Sequence, residues 1–157
     1  MFGSHLHYGL VAWGGTSNGN ITKILTLQKK AIRAIKQVDN RTHCKPLFKE
    51  LHILTLPSLY ILQTIIFAKT HSINYNNKFH MYNTRNQNNF NLNQHRLKST
   101  EQDPNYIGAK LFNLLPKTIR DLTSIDKLKS NLKQYLLNLP YYSLQEFIDD
   151  HSYRPQR

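Results

Sequence analysis

The clearest signal in this chain is a run of apolar residues stepping three and four positions apart. At about 100° per residue, Ile21, Ile24, Leu25, Gln28, Ile32, Ile35 and Val38 share one side of a helix, and Lys23, Lys29, Lys30, Arg33 and Lys36 fall on the other. The pattern predicts an amphipathic helix from about Ile21 to Val38. Upstream, Phe2 to Trp13 is apolar enough for a helix or a buried strand closed by Gly14 and Gly15, and "TSNGN", Thr16 to Asn20, reads as a loop.

Downstream, "DNRTHC" reads as a loop and Lys45 to Leu51 as a short helix with Pro46 at its first position, where a missing N–H costs nothing. "HILTL" alternates and is expected to be extended. Pro57 opens a second long helix, Ser58 to about Ser72, apolar nearly all round through Leu59, Ile61, Leu62, Ile65, Ile66 and Phe67; such a helix belongs inside a core. The pattern then lapses. Residues 75–105 hold nine asparagines, which favour turns over helix interiors, so this stretch is expected to be an irregular connection with at most a short strand near "FNLNQ".

Order returns with a helix over Tyr106 to Leu115, stopped by Pro116, and a further turn at "KTIRDL". "TSID" spaces Thr123 and Asp126 as a capping box for a third long helix with Ile125, Leu128, Leu132, Tyr135, Leu136 and Leu139 on one stripe. Pro140 ends it, and "SLQE" repeats the signature at Ser143 and Glu146 before a last short helix. The expected fold is mainly α: two small helical units, residues 1–74 and 106–150, joined by the Asn-rich connection at 75–105 and followed by a frayed tail at 151–157.

The chain has 157 residues, 39% of them hydrophobic, enough for a core. Its formal charge is +12, and residues 1–74, 75–105 and 106–157 contribute +7, +2 and +3 of it. That imbalance favours polyanions, nucleic acid before an acidic membrane surface, and fits equally a solvated basic surface. The single cysteine, Cys44, excludes an internal disulfide and fits a reducing compartment or indifference to redox. The start has no cationic n-region, and no run approaches the ~20 apolar residues of a membrane span, so no signal peptide and no membrane partner are expected.

"FIDD", Phe147 to Asp150, has the aromatic-x-Asp-Asp form of a polymerase metal site, which needs a strand hairpin and a further aspartate to hold two divalent ions. The residues before it are patterned as a capped helix, so it reads as an acidic helix end. His5, His7, His43 and Cys44 lack metal-ligand spacing, and phosphate-loop, dinucleotide and nucleophile-elbow motifs are absent. No catalytic residue, metal site or cofactor is expected. The basic helix remains: Lys23, Lys29, Lys30, Arg33 and Lys36 can pair with phosphates, or can form the wet face of a bundle helix. Tyr75, Tyr82 and Tyr106 lie near basic residues and could stack on bases, though packing is the commoner fate of a tyrosine.

Taken in order, "SHLHYGLVAWGG", "LQKKAIRAI", "KPLFKELHILTLPSLY", "YIGAKLFNLLPKTIRDLTSIDKLKSNLKQYLL" and "YYSLQEF" resemble the region downstream of the polymerase palm in reverse transcriptases of jockey-like non-LTR retrotransposons. The resemblance implies that residues 1–74 are thumb-like and that the catalytic palm and fingers, the natural packing partners of "HYGLVAWGG", lie outside this chain. It implies an RNA or RNA–DNA hybrid ligand gripped by Lys23, Lys29, Lys30, Arg33 and Lys36 without sequence specificity, in an intracellular setting. A helical protein-interaction fragment, or a nonfunctional remnant of a truncated element, is the alternative.

Overall fold

A computed structural model describes residues 9–13, 18–71, 89–92, 96, 101 and 103–152. The fold is mainly α, and the described residues form no strand. The helices are α1 (Leu10–Trp13), α2 (Asn18–Lys36), α3 (Cys44–Glu50), α4 (Leu56–Thr70), α5 (Pro104–Leu114), α6 (Lys117–Arg120), α7 (Ile125–Asn138) and α8 (Leu144–Ser152). None is long and apolar enough to cross a membrane. Most of the Asn-rich connection, Tyr75 and Tyr82, the histidines at 5 and 7, Gly14, Gly15 and the tail from 153 lie outside the described residues.

The helix ends show which local signals act. α2 begins three residues earlier than its apolar pattern, because the first turn needs no intrahelical N–H bonds and accepts Asn18, Gly19 and Asn20. It closes with Gln37 in the left-handed region (φ 51), the Val38 N–H donating to the Arg33 carbonyl and the Gln37 N–H to that of Ala34. α3 closes the same way through His52 (φ 53), with Ile53 donating to Phe48 and His52 to Lys49. Both are Schellman closures made without glycine, so no glycine marks them in the sequence. α4 is capped by Thr55, whose hydroxyl accepts from the Ser58 N–H (3.3 Å), with Pro57 inside the first turn. "TSID" does not form its box: the cap of α7 is Ser124, and its side chain makes no capping bond. "SLQE" caps α8 as expected. The Glu146 N–H donates to Ser143 (3.0 Å), but the Glu146 carboxylate reaches one residue further than a standard box, to the Tyr142 N–H (2.7 Å).

The helices on either side of the connection close on one core. Ile61, Leu62 and Ile65 of α4 meet Ala109, Leu111 and Phe112 of α5, Ile119 of α6, Leu128, Leu132 and Leu136 of α7, and Phe147 of α8. Phe90, from the Asn-rich stretch, joins them at 4.5 Å from the Phe112 ring. Its backbone is held by one amide: the Phe90 N–H donates to Asn113 Oδ1 (2.8 Å) and Asn113 Nδ2 donates to the Phe90 carbonyl (2.9 Å). A second cluster packs Leu10 and Ile21 on Leu56, Leu59 and Tyr60; a third joins Leu25 and Ile32 of α2 to Cys44, Leu47 and Phe48 of α3. α4, apolar all round as the sequence requires, is the helix the first two clusters share.

α5 reaches α4 through a gap only hydrogen can fill. A Cβ at Gly108 would stand 2.3 Å from the Thr64 carbonyl oxygen and 2.6 Å from the Ala68 Cβ, with Ala109 buried beside it. Gly108→Ala gains up to about 1 kcal/mol of helix propensity and loses more by forcing the helices apart, overpacking costing about 1–3 kcal/mol. A net loss of stability in urea unfolding is expected, although alanine normally improves a helix.

Tyr60 is fully buried, and its hydroxyl finds no hydrogen-bond partner among the described residues. Burial pushes its pKa up to about 12, from about 10 in an unfolded chain. Between those values the unfolded state loses the proton first, so this group's share of stability is intact below pH 10 and drains as pH rises toward 12, by about 1.4 kcal/mol per pH unit. Tyr60→Phe keeps the ring and deletes the orphan hydroxyl. Equal or greater stability at pH 7 and a flatter decline above pH 10 are expected in thermal unfolding across pH.

Candidate nucleic-acid interface

α2 carries the candidate residues, and its seat on the rest of the protein is fixed from its buried side. Ile21, Leu25 and Ile32 are in the core. Between them Gln28 acts as a clamp: its Nε2 donates to the Leu54 carbonyl (2.8 Å) and its Oε1 accepts from the Leu56 N–H (3.0 Å). One amide thus satisfies two backbone groups where the short link from α3 enters α4; of "HILTL", His52 closes α3 in the left-handed region and Leu56 already belongs to α4. Ile35 departs from expectation. Its spacing puts it on the core face with Ile24, Leu25 and Ile32, yet it is 63% exposed, as is Leu27. The buried arc of α2 is narrower than the apolar arc, because α3 and α4 cover only the side marked by Ile21, Leu25, Gln28 and Ile32.

The five cations divide into two groups. Lys23 and Lys30 are exposed. Lys29, Arg33 and Lys36, nearer the buried arc, are half-buried and engaged. The Lys29 ammonium sits 3.6 Å from the centre of the Tyr142 ring, and Lys45 approaches the same ring at 5.1 Å. Burial lowers the Lys29 pKa; Cys44 and Glu146 oppose that shift, and the nearby charges of Arg33 and Lys45 add to it. Arg33 Nε donates to the Thr42 carbonyl (3.0 Å), tying α2 to the loop before α3, and Lys36 pairs with Glu50.

Two residues of this cluster come from far along the chain. Glu146 of α8 pairs with Lys45, and Tyr142 brings its ring within reach of both lysines. Their neighbours across the cluster lie about a hundred residues away in sequence, so nothing in the local pattern could announce them. The Tyr142 ring also meets Phe48 edge-on at 6.3 Å, and burial raises its hydroxyl pKa to about 12. Alongside lies a cleft of about 530 Å³, walled by Pro46, Leu139, Pro140 and Tyr141, with His43, Lys45, Lys49, Glu146 and Asp150 at its margin.

The aspartates of "FIDD" lie on α8. Asp149 accepts from Gln145 Nε2 (2.7 Å), one turn back, and Asp150 accepts from the Tyr141 hydroxyl (2.8 Å). Adjacent positions on a helix point about 100° apart, which separates the two carboxylates instead of converging them. Among the described residues no three His, Cys, Asp or Glu side chains converge as metal ligands. His43 is exposed, whereas Cys44 is buried with its thiol directed at the Thr42 carbonyl (3.7 Å). Tyr106 is half-buried on α5.

Gln28 and the exposed lysines therefore separate structure from charge. Gln28→Ala strands the Leu54 carbonyl and the Leu56 N–H, and a loss of about 1–3 kcal/mol in chemical denaturation is expected. Lys23→Gln and Lys30→Gln should each stay within about 0.5 kcal/mol of the parent.

The chain matches no protein-family model, no curated protein and no solved structure, so the chemistry of this face rests on its own residues.

Proposed function

We propose that this chain binds nucleic acid without sequence specificity, as the non-catalytic C-terminal part of an RNA-directed DNA polymerase of a non-LTR retrotransposon. RNA or an RNA–DNA hybrid is the ligand, and palm and fingers supplied from elsewhere complete the enzyme. The observation that carries the reading is the charge of α2: five cations and no acid in nineteen residues. They occupy an arc of about 140° on a helix whose other side is locked by the core and the Gln28 clamp. A backbone held this firmly presents its charges at fixed spacing, and phosphate contacts made from it fix position without reading bases. The ordered resemblance along the chain adds the reverse transcriptase context.

Within the arc, Lys23 and Lys30 do the work of phosphate contact, because each is exposed. Lys29, Arg33 and Lys36 add field strength and hold the helix on its neighbours. Each phosphate neutralised contributes about 0.7–0.9 to the slope of log affinity against log salt. Lys23→Gln with Lys30→Gln should weaken binding to RNA, hybrid and duplex DNA alike and flatten that slope by about 1.4–1.8. The control is Lys127→Gln with Lys129→Gln on α7, both exposed and equal in charge removed. Equal losses from the two pairs would reduce binding to diffuse attraction by a +12 chain. No loss from either would overturn the nucleic-acid reading.

A further inference from the structure

α2 has a third face that neither the core nor the phosphate reading uses. Leu27 and Ile35, each 63% exposed, stand eight residues apart, about 12 Å along the axis and about 80° around it. Ala31, also exposed, lies between them, and exposed Ala34 borders the stripe on the far side of Leu27; Ile24 and Val38 turn inward onto the core clusters and take no part in it. Of the three large hydrophobic side chains exposed among the described residues, two are on this stripe. Single exposed leucines are ordinary on protein surfaces; two large aliphatic side chains joined by Ala31 into a strip over two turns long make a groove-sized apolar contact.

The charge beside the stripe selects what can cover it. Lys23 and Lys30 run along one edge, and the other edge is the buried arc carrying Gln28 and Ile21. α2 contains no acidic residue. Asp39, the nearest acid beyond its end, is turned into a local loop, accepting from the Arg41 N–H (2.7 Å). A second copy of this chain would therefore bring lysines against lysines, with a net charge of +12 on each body. An amphipathic helix with acids along one border would bury its apolar side on Leu27, Ala31 and Ile35 and set carboxylates against Lys23 and Lys30.

We propose that the outer stripe of α2 docks an acidic amphipathic helix of a partner protein. The alanines allow close approach of the two helices, Leu27 and Ile35 are the anchors, and the lysines fix orientation and favour acidic partners over basic ones. The surface is distinct from the nucleic-acid contact in its apolar anchors and shares with it only Lys23 and Lys30, so the two ligands compete.

The test uses the full chain and three synthetic eighteen-residue helical peptides, measured by fluorescence anisotropy. The first places leucines at i, i+3, i+4 and i+7 with glutamates on the borders, the second replaces the glutamates with lysines, and the third scrambles the first. The acidic peptide should bind at least tenfold more tightly than the other two. Leu27→Gln with Ile35→Gln, which preserves charge and helix propensity, should weaken that binding at least tenfold while leaving RNA affinity and its salt slope unchanged. Circular dichroism should show the variant fully helical. Equal binding of all three peptides, or of parent and variant, would overturn the proposal. Self-association of the parent that the double variant abolishes would overturn it in favour of a second copy. Loss of RNA binding from Lys23→Gln with Lys30→Gln tests the nucleic-acid reading separately and leaves the apolar anchors to be judged on the peptide alone.

Discussion

The distance between α4 and α5 is the constraint on which the rest of the fold depends. A helix as apolar as α4 must be surrounded, and it has neighbours on both sides of the Asn-rich stretch. On the α5 side the approach is set by Gly108, whose missing Cβ lets its backbone lie against Thr64 and Ala68. Thr64 can occupy that interface because its hydroxyl donates back to its own helix, to the Tyr60 carbonyl (2.7 Å), and so brings no unmet polar group. Once this contact is made, Phe112 and Leu111 reach the space that Ile61 and Ile65 leave open, and α7 and α8 have a core to close on. Widening the gap would loosen that whole cluster, since close-packed interiors transmit small displacements.

A helical protein with extended connections must still satisfy the backbone of those connections. Here side-chain amides and hydroxyls take the place that a neighbouring strand would fill. Gln28 serves Leu54 and Leu56, and Asn113 serves both polar groups of Phe90, in each case by one donor and one acceptor on a single planar amide. Thr55 does related work at the start of α4: it caps the helix and donates to the Tyr141 carbonyl, joining α4 to the segment between α7 and α8. Arg120, buried, reaches Asn89 and the Asn113 carbonyl and strengthens the same anchor around Phe90. These groups span long sequence separations, so they bind the chain together as the apolar clusters do, with directionality added.

Periodicity locates α2 and α7, and an apolar circumference locates α4; α5 is marked by the proline that stops it and α8 by the capping signature that starts it. Periodicity is weaker wherever a residue's role depends on a distant partner. Ile35 has the spacing of a core residue and lies in the open, since none of the described helices covers that arc of α2. Phe90 sits in a polar stretch without pattern and is buried, because Asn113 and Phe112 receive it. The Schellman closures at Gln37 and His52 lack the glycine that would announce them. The charges on α2 were legible as a set, yet their division into exposed Lys23 and Lys30 and engaged Lys29, Arg33 and Lys36 depends on Tyr142, Thr42 and Glu50. Only the folded chain brings those partners near.

α2 then has three sides with three different physical characters. One is apolar and clamped, one is cationic, and one is apolar and exposed. The first determines how well the other two can perform, because a surface that must be ordered on binding loses affinity to that ordering. Ile21, Leu25, Gln28 and Ile32 remove this cost in advance by fixing the helix against α3 and α4. The Lys29–Tyr142 contact adds to it from the polar side and also holds a cation in place at the cluster where α8 docks through Glu146. Flexible lysines on a loop could gather around a polyanion, but they could not hold an apolar strip of fixed length beside a row of charge. The rigid seating of α2 makes both surfaces available from one element. Because Lys23 and Lys30 border both, occupation of one surface lowers the charge available to the other.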